Sequence, residues 1–533
     1  MSMKKLIENG YGPLIISIAI ATGVFLGGYL NVTAPTATVF GTNFKNQKVQ
    51  RLLNFIDNEY VDEVDTDSIL DVAINNILEN LDPHSTYIPA SMHQGIMENM
   101  EGSFVGIGIQ FRMYHDTVFV INVLKEGPSF NAGLHNGDRI LIADKDTIFG
   151  KDIYSNSVVK LLKGEKGSDV ELQIYRPISK ELLSKTVTRG KVPLKSVDVS
   201  YMINDSLGYI KINRFAGTTY DEFEKSISKL LGLGMKSLVV DFRDNPGGFM
   251  HIAKKIADEF LPENELIVFT KNRKEEVDKD FSTDNGKFQT GNLYVLINEN
   301  SASASEVVSG ALQDNDRGII VGRRSFGKGL VQQELDLGDG SAVRLTTARY
   351  YTPTGRSIQK PYTKGNKFYA NDYMRRLHNG ELISKDSISV NDTLKFVTPK
   401  GKIVYGGGGI IPDVFVPVDT TNYERWIYQA IKYSNLSDFF LQYVDDNRQE
   451  LEKMDYNFYR KTFDSNGDIY NQYMAFLKSK GVKPSKNKSE EDILKLRIKA
   501  YVASLIWSDE KMYPIWNEID TMLKKVEELE SNK

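Results

Sequence analysis

The sequence predicts a multidomain α+β protein: an α/β core with a small, mostly β module set into it, and helical regions before and after. Three observations carry this expectation. A length of 533 residues implies roughly three or four domains. Residues 101–189 are short strand-like runs separated by Gly turns, and from about 191 to 417 strands alternate with helical periodicity, the pattern of a partly parallel sheet.

Composition narrows the chemistry before any motif is read. The chain has 66 Lys+Arg against 70 Asp+Glu, six His and no Cys. Without Cys there is no disulfide framework, Cys-ligated zinc, iron–sulfur cluster or thiol nucleophile. A net charge of −4 argues against general nucleic-acid binding, which needs a basic stripe. No HExxH pair points to a His-based zinc site. No cofactor or metal is expected.

Between Glu8 and Lys45 there is no charged residue, and Pro13 to Leu30 is nearly all apolar. With its flanks this stretch reaches the roughly 20 residues that span a bilayer. Lys4 and Lys5 precede it, which places the N-terminus in the cytoplasm and the rest of the chain outside. A cleaved signal peptide is the competing reading, although its apolar region is usually about 7–15 residues. A buried globular helix is the third, and Gly23, Gly27, Gly28 and Pro13 suit a membrane helix better. Lipoprotein processing is excluded, because it needs a Cys. The expected organisation is an anchor at 1–40, a helical region at 41–100, the β module at 101–190, the core at 191–420 and a helical domain at 421–533.

From Lys48 to Met100, Leu52, Leu53, Ile56 and Tyr60, then Leu70, Ala73, Ile74, Ile77 and Leu78, fall at helical spacing. In the β module, strands are expected at Phe104–Ile109, Thr117–Leu124, Arg139–Ile142 and Val170–Tyr175, with one helix near Ser155–Leu162. The core reads as strand 207–212, helix 220–231, strand 237–242, helix 252–260, strand 293–298, helix 304–313 and strand 318–321. A polar stretch from Tyr362 to Lys402 looks like an insertion. Beyond Pro417, Ile493, Leu496, Ala500, Ala503 and Trp507 make one apolar stripe, and Ser489-x-x-Asp492 suggests a capping box at its start. We read this end as a separate helical domain.

Three segments carry chemistry. In Leu293 to Glu306 a strand runs into Ser301-Ala302-Ser303-Ala304-Ser305 and then a helix. A Ser at such a junction has room for substrate and sits by N–H groups that favour negative charge, but a Ser-rich helix start also reads as ordinary N-caps. Lys328, in Gly327-Lys328-Gly329 beside Phe326, Leu330 and Val331, could serve as a base if desolvation leaves it neutral. Equally, a Lys between glycines is a common solvated turn. Ser237 to Gly248 is a strand ending in Asn245-Pro246-Gly247-Gly248, whose exposed N–H groups could form half an oxyanion hole.

Together these segments resemble the carboxyl-terminal processing peptidases, or tail-specific proteases, serine peptidases with a Ser-Lys dyad. The resemblance runs from about Leu81 to Pro417. It also includes Leu81-Asp82-Pro83-His84-Ser85-Thr86-Tyr87, Gly208-Tyr209-Ile210, Phe326-Gly-Lys-Gly-Leu-Val-Gln332 and Tyr350-Tyr-Thr-Pro-Thr-Gly355-Arg356-Ser357-Ile358-Gln359. It implies a ClpP/crotonase-like core with Ser303 as nucleophile, Lys328 as general base, Gln332 orienting the Lys, and an oxyanion hole from the N–H groups of Gly247 and Ala304. The 101–189 module resembles a PDZ domain, with Phe104-Val105-Gly106-Ile107-Gly108 as its carboxylate loop and Gly127 to Asp138 as a fold-determining signature.

The resemblance, taken with the charge-free start, therefore implies a membrane-anchored serine endopeptidase of the bacterial envelope, facing the periplasm. It would take proteins with apolar free C-termini as substrates, with homo-oligomerisation possible and no nucleic-acid partner. The rival is a non-catalytic envelope scaffold that captures tails through the PDZ module alone. Several decoys are set aside. Gly322 to Lys328 matches a P-loop, but Gly329 replaces the Ser or Thr and a strand follows. Asp464 to Asp468 has its Gly at the wrong place for a calcium loop, Gly406 to Gly409 reads as a turn, and His84 and His251 are expected to make ordinary hydrogen bonds.

Overall fold

The computed structural model describes residues 17, 20–22, 44–125, 127–150, 153–418, 436–464, 467–483 and 487–532. Most of the expected anchor, Pro13–Leu30, lies outside them, as does 419–435. Among the described residues no helix is long and apolar enough to cross a membrane. The chain divides into two units, Met1–Ile77 and Leu78–Lys533. The first holds helix α1 (Phe44–Glu59) and nearly all of α2 (Thr66–Glu79), which starts where Asp65 accepts from the N–H and hydroxyl of Ser68.

The second unit opens with strand β1 (Thr86–Ile88), helix α3 (Ala90–Glu101) and strand β2 (Ser103–Gly106). Gly102, with φ +78°, ends α3, a left-handed cap that glycine adopts without steric cost. The β module follows: β3 (Ile109–Tyr114), β4 (Thr117–Val123), short helix α4 (Pro128–Asn131), β5 (Arg139–Ala143), β6 (Asp146–Thr147), α5 (Ser155–Leu162), β7 (Asp169–Arg176) and β8 (Glu181–Thr188). The sheet runs β3-β4-β5-β7-β8 with β6 on β5. β9 (Gly190–Pro193) pairs antiparallel with β2, so the module is stapled at its base where the chain enters and leaves.

The core sheet has the order β10-β11-β12-β15-β16-β21: β10 (Val197–Met202), β11 (Leu207–Ile212), β12 (Ser237–Asp241), β15 (Asn292–Ile297), β16 (Ile319–Gly322) and β21 (Val414–Phe415). All neighbours but β10 and β11 are parallel. The crossovers use α6 (Thr219–Gly232), α7 (Met250–Asp258) and α8 (Ala304–Asp314). Alternate residues face opposite layers: Leu238, Val240, Leu293, Val295 and Ile297 join the cluster under these helices, while Val239, Tyr294 and Leu296 join a second cluster. A second, antiparallel sheet contains β1, β13 (Leu266–Asn272), β14 (Val277–Phe281), β17 (Leu330–Asp336) and β18 (Ala342–Tyr351). The expected insertion folds as α9 (Asn366–Ala370), α10 (Asp372–His378) and a hairpin of β19 (Lys395–Val397) and β20 (Ile403–Tyr405).

The C-terminal region departs from the separate domain expected. Helices α11 (Leu436–Asp446), α12 (Tyr456–Thr462), α13 (Asp468–Ser479) and α14 (Lys488–Ile506) share one core with Tyr114 and Phe119 of the β module. After α15 (Asp509–Trp516), Met522, Leu523 and Val526 of α16 (Thr521–Ser531) pack on the second face of the core sheet. A parallel sheet buried on both faces needs that cover, and an amphipathic stripe does not name what it covers. Helix α14 also starts one residue before Ser489: Asn487 is the cap and accepts the Ser489 N–H.

Candidate active site

The site forms where two parallel strands end. From β12 the chain enters Phe242 to Gly248, and from β15 it enters Asn298 to Ser303, before α7 and α8 respectively. Ser301 donates its hydroxyl to Phe242 O at 2.8 Å, and Ser305 to Asn245 O at 3.0 Å. Both are buried ties between the two loops. Ser303 alone of the three keeps partial exposure. It stands at the N-cap of α8 with φ +54° and ψ −113°, a conformation costing a non-glycine residue about 1–3 kcal/mol. Strain held at an accessible Ser on a strand-to-helix turn is what a nucleophile requires.

Lys328 lies between β16 and β17. Its Nζ donates to Gln332 Oε1 at 2.7 Å, and Gln332 Nε2 donates to His84 O at 2.6 Å. That carbonyl is fixed by a turn in which Asp82 accepts from the N–H groups of His84 and Ser85, both at 2.8 Å, and from the Ser85 hydroxyl at 2.7 Å. Burial, with Arg344 nearby, pushes the Lys328 pKa below its usual value. Among the described residues no hydrogen bond joins Ser303 Oγ to Lys328 Nζ; the two residues are coupled through their backbones.

That coupling runs through two residues to which the sequence reading assigned no role. Glu306, fully buried in the first turn of α8, accepts from Ser303 N and Lys328 N, each at 2.8 Å on Oε2. Its Oε1 takes Ser325 Oγ at 2.5 Å and Gly327 N at 2.6 Å. Burial raises the Glu306 pKa against the pull of these bonds. Ser303-x-x-Glu306 is a capping-box pattern, so the Glu306–Ser303 half was readable; the link to Lys328 was not. Tyr350, also fully buried, donates to Lys328 O at 2.9 Å and Ser303 O at 3.2 Å.

Gly247 has φ +103°, and a Cβ there would fall 2.8 Å from both Ser303 Cβ and Ala302 O and 2.9 Å from Ala304 N. The glycine thus lets the β12 loop touch the Ser303 turn. Its N–H donates to Asn245 Oδ1 at 2.8 Å, a bond that must be shared or released for it to meet an oxyanion beside Ala304. His84 is not part of a triad: its ring bonds Tyr369 OH at 2.6 Å, and burial followed by the charge of Lys328 pushes its pKa down to about 4. The His251 ring packs on Phe249, centroids 5.1 Å apart.

Residues 206–366 match peptidase family S41, 105–188 match a PDZ domain, and 426–508 match a family of unknown function. The Carboxy-terminal-processing protease of Bartonella bacilliformis is 35% identical over 353 residues, 64% of this chain and 80% of that protein. The chain belongs to peptidase family S41. It is also 34% identical over 316 residues to the Carboxy-terminal processing protease CtpB of Bacillus subtilis, covering 59% of this chain and 65% of CtpB, just under two thirds of that relative's length. Among solved structures it is similar to a photosystem II D1 C-terminal processing protease (26% identity, TM-score 0.36, 70% of this chain and 88% of that one). It is similar as well to the PDZ domain of a Vibrio cholerae carboxy-terminal protease in complex with a peptide (29%, 0.16, 17% and 99%).

In this S41 peptidase the insertion braces the loop of Lys328. Arg376 of α10, almost fully buried, donates to Arg324 O and Ser325 O at 2.9 Å and to Phe326 O at 3.3 Å. Lys360 lies over the Phe326 and Tyr369 rings, 3.6 and 4.2 Å from their centroids, and burial lowers its pKa to about 8. The Gly406 to Gly409 turn closes against the same loop, Arg324 donating to Gly408 O and Ser325 N to Ile410 O at 3.0 Å. The P-loop decoy ends in strand β17, and Asp464 caps α13 by accepting from Ile469 N and Tyr470 N.

In the PDZ domain, Phe104, Gly106, Ile107 and Gly108 line a groove of about 290 Å³ between β3 and α5, with Ile109, Phe111, Val159 and Leu162. Val105 does not line it and instead pairs with Lys191 of β9. Asp138, buried, takes Arg176 Nε at 2.8 Å, a structural role for that signature. A cavity of about 780 Å³ lies at the carboxyl ends of β11, β12 and β15 beneath the C-terminal helices. There Arg243 bridges Asp241 and Asp520 at 2.6 Å each. Burial would push the Asp241 pKa up, but Arg243 and Lys211 outweigh it and hold the carboxyl far below its usual range.

Proposed function

We propose that this chain is a membrane-anchored serine endopeptidase of the bacterial envelope that docks the apolar C-terminal tail of a protein in its PDZ groove and cleaves near that end. The observation that carries the reading is Glu306, whose one carboxylate holds the backbones of Ser303 and Lys328 together. A scaffold has no need of that tie. The charge-free stretch from Pro13 to Leu30, preceded by Lys4 and Lys5, supports the anchor and the orientation.

In the mechanism the Ser303 Oγ attacks the scissile carbonyl while Lys328 Nζ takes its proton. A neutral amine has two N–H groups and one lone pair. With one N–H given to Gln332 Oε1, the lone pair is left for Ser303. The C–O bond forms and the carbonyl oxygen becomes an oxyanion facing Ala304 N–H and, once released from Asn245, Gly247 N–H. Collapse breaks the C–N bond, and the leaving amine takes the proton from Lys328. Water then attacks the acyl-enzyme, giving its proton to Lys328, and Ser303 recovers its hydrogen as the acid product leaves.

The test compares wild type and Ser303→Ala on a folded substrate carrying an apolar C-terminal tail, with product termini read by mass spectrometry. Cleavage near the tail by wild type only is expected. Equal cleavage by both proteins, or none by either, refutes the proposal.

A further inference from the structure

The open end of the PDZ groove already holds a carboxylate. Lys163 follows the last turn of α5, where Leu162 and Gly106 also lie; its Cγ is 3.7 Å from where a Gly106 Cβ would be. Its ammonium ion-pairs with Glu98 of α3 and sits 4.8 Å from the Phe104 ring centroid. Glu98, with Gly95 and Asn99, closes one wall of the same cavity.

Glu98 is held in that place from several sides. His93, at the other end of α3, bonds Glu334 at 2.8 Å and Gly340 O at 3.1 Å. Gly217 N donates to Met100 O at 2.8 Å, and Gly102 N to Glu98 O at 3.0 Å. Gln94 Nε2 reaches Glu98 Oε1 at 3.2 Å. The helix is pinned to the peptidase core on one side and, through the Gly102 cap, to the strand that begins the carboxylate loop on the other.

We propose that Lys163 is the receptor for the terminal carboxylate of a docked tail, and that Glu98 is its built-in competitor. This rests on the tail-docking reading above and deepens it. A free C-terminus laid along β3 brings its carboxylate to the glycine loop of Gly106 and Gly108, where backbone N–H groups receive it. Lys163 is the ammonium on that rim, and one ammonium cannot serve two carboxylates at full strength. The incoming tail therefore displaces Glu98, so only a chain end that offers both an apolar residue to the groove and a charge to Lys163 docks well. An internal segment of similar sequence offers the first without the second.

The experiment uses the full-length chain in detergent with Ser303→Ala, so that probes are not cleaved. The probe is a short fluorescent peptide ending in apolar residues, made with a free carboxylate and with an amidated end, and binding is read by anisotropy. Wild-type sequence should prefer the free carboxylate by about tenfold. Glu98→Gln should bind that peptide about tenfold tighter, while Lys163→Met and Lys163→Gln should lose most of the preference for the free carboxylate. Adding Glu98→Gln to Lys163→Met should gain nothing. If the wild-type groove binds both peptides equally, or neither, the tail-docking reading itself falls. If it prefers the carboxylate and both Lys163 variants keep that preference, docking stands and Lys163 is not the receptor. If Lys163 behaves as stated but Glu98→Gln binds no tighter, Glu98 is not a competitor.

Discussion

Replacing Glu306 with Gln tests the tie between nucleophile and base with almost no change of shape. The carboxylate accepts four hydrogen bonds, at 2.8 Å from Ser303 N, 2.8 Å from Lys328 N, 2.6 Å from Gly327 N and 2.5 Å from Ser325 Oγ. An amide has one oxygen, so its NH2 must face two of these donors. Turned toward Ser303 and Lys328, it leaves two buried N–H groups unpaired. Turned toward Ser325, it leaves Gly327 N–H unpaired, while the Ser325 hydroxyl can rotate. Each orphaned buried donor costs about 1–3 kcal/mol. Part is recovered because a charge whose burial already raises its pKa no longer has to be kept in the core. In the cheaper orientation, with one orphan less that recovery, a net loss of about 1–2 kcal/mol corresponds to a melting temperature lower by roughly 2–8 °C. The catalytic loss should be larger, since about 1 Å of slack between reacting groups costs on the order of 100-fold. Thermal unfolding measured with Ser303→Ala present, and kcat/KM on a quenched fluorescent peptide without it, separate the two effects. If Glu306→Gln keeps kcat/KM within about threefold, or about 0.7 kcal/mol of transition-state stabilisation, the idea that this carboxylate aligns the dyad is wrong.

Other outcomes follow from single contacts. Because burial depresses Lys328, log kcat/KM should rise with pH through the lowered Lys pKa and then level. His84, pushed down to about 4, adds no inflection between about pH 5 and 8, and a limb in that range that vanishes in His84→Gln contradicts the assignment. Gly247→Ala would set a Cβ 2.8–2.9 Å from the backbone of Ala302 and Ala304 and from Ser303 Cβ; hydrolysis should fall below detection, and a variant with near wild-type kcat would remove Gly247 from the site. Asp520→Asn keeps the cap oxygen of α16 but removes the charge that meets Arg243 at 2.6 Å. The loop to Gly247 should loosen, lowering kcat several-fold (roughly 1 kcal/mol) with KM unchanged, whereas a pure KM effect would count against it. Arg376→Met strips three carbonyls of their donor and should cost about 2–4 kcal/mol by denaturant titration; a cost below about 0.5 kcal/mol would mean the insertion only covers the surface.

How far the sequence revealed this structure depended on the range of each interaction. Helix α5 and strand β11 were legible at their full length, Ser155–Leu162 and Leu207–Ile212, because periodicity is a local property. The positions of Ser303 and Lys328 came from motif resemblance. Their arrangement did not, since Glu306 meets Lys328 and Tyr350 meets Ser303 across 22 and 47 positions of chain, and the carbonyl of His84 meets Gln332, the partner of Lys328, across 248. The role of α16 was illegible for a related reason. Met522, Leu523 and Val526 read as one side of an amphipathic helix, and nothing local says that the second face of β12 and β15 is their partner. The anchor was the reverse case: the sequence speaks of it plainly, and it lies outside the described residues.

The environment of Lys328 places conflicting demands on the protein. A lysine base needs burial to become neutral at moderate pH, yet burial removes the water that would otherwise satisfy its loop. Protein groups hold the loop Arg323 to Gly329: Glu306 accepts from the N–H groups of Gly327 and Lys328, Arg376 donates to the carbonyls of 324–326, and Tyr350 donates to the carbonyl of Lys328. Two of these three groups are buried charges, and buried charges are poor sources of stability when an apolar alternative of the same volume exists. What they supply here is geometry. Carboxylate and guanidinium bonds are short and directional, and they fix where the Lys328 backbone sits while, among the described residues, its side chain bonds Gln332 Oε1 alone. The insertion and the C-terminal helices extend that bracing outward, the first onto the loop of Lys328 and the second, through Asp520 and Arg243, onto the loop of Gly247.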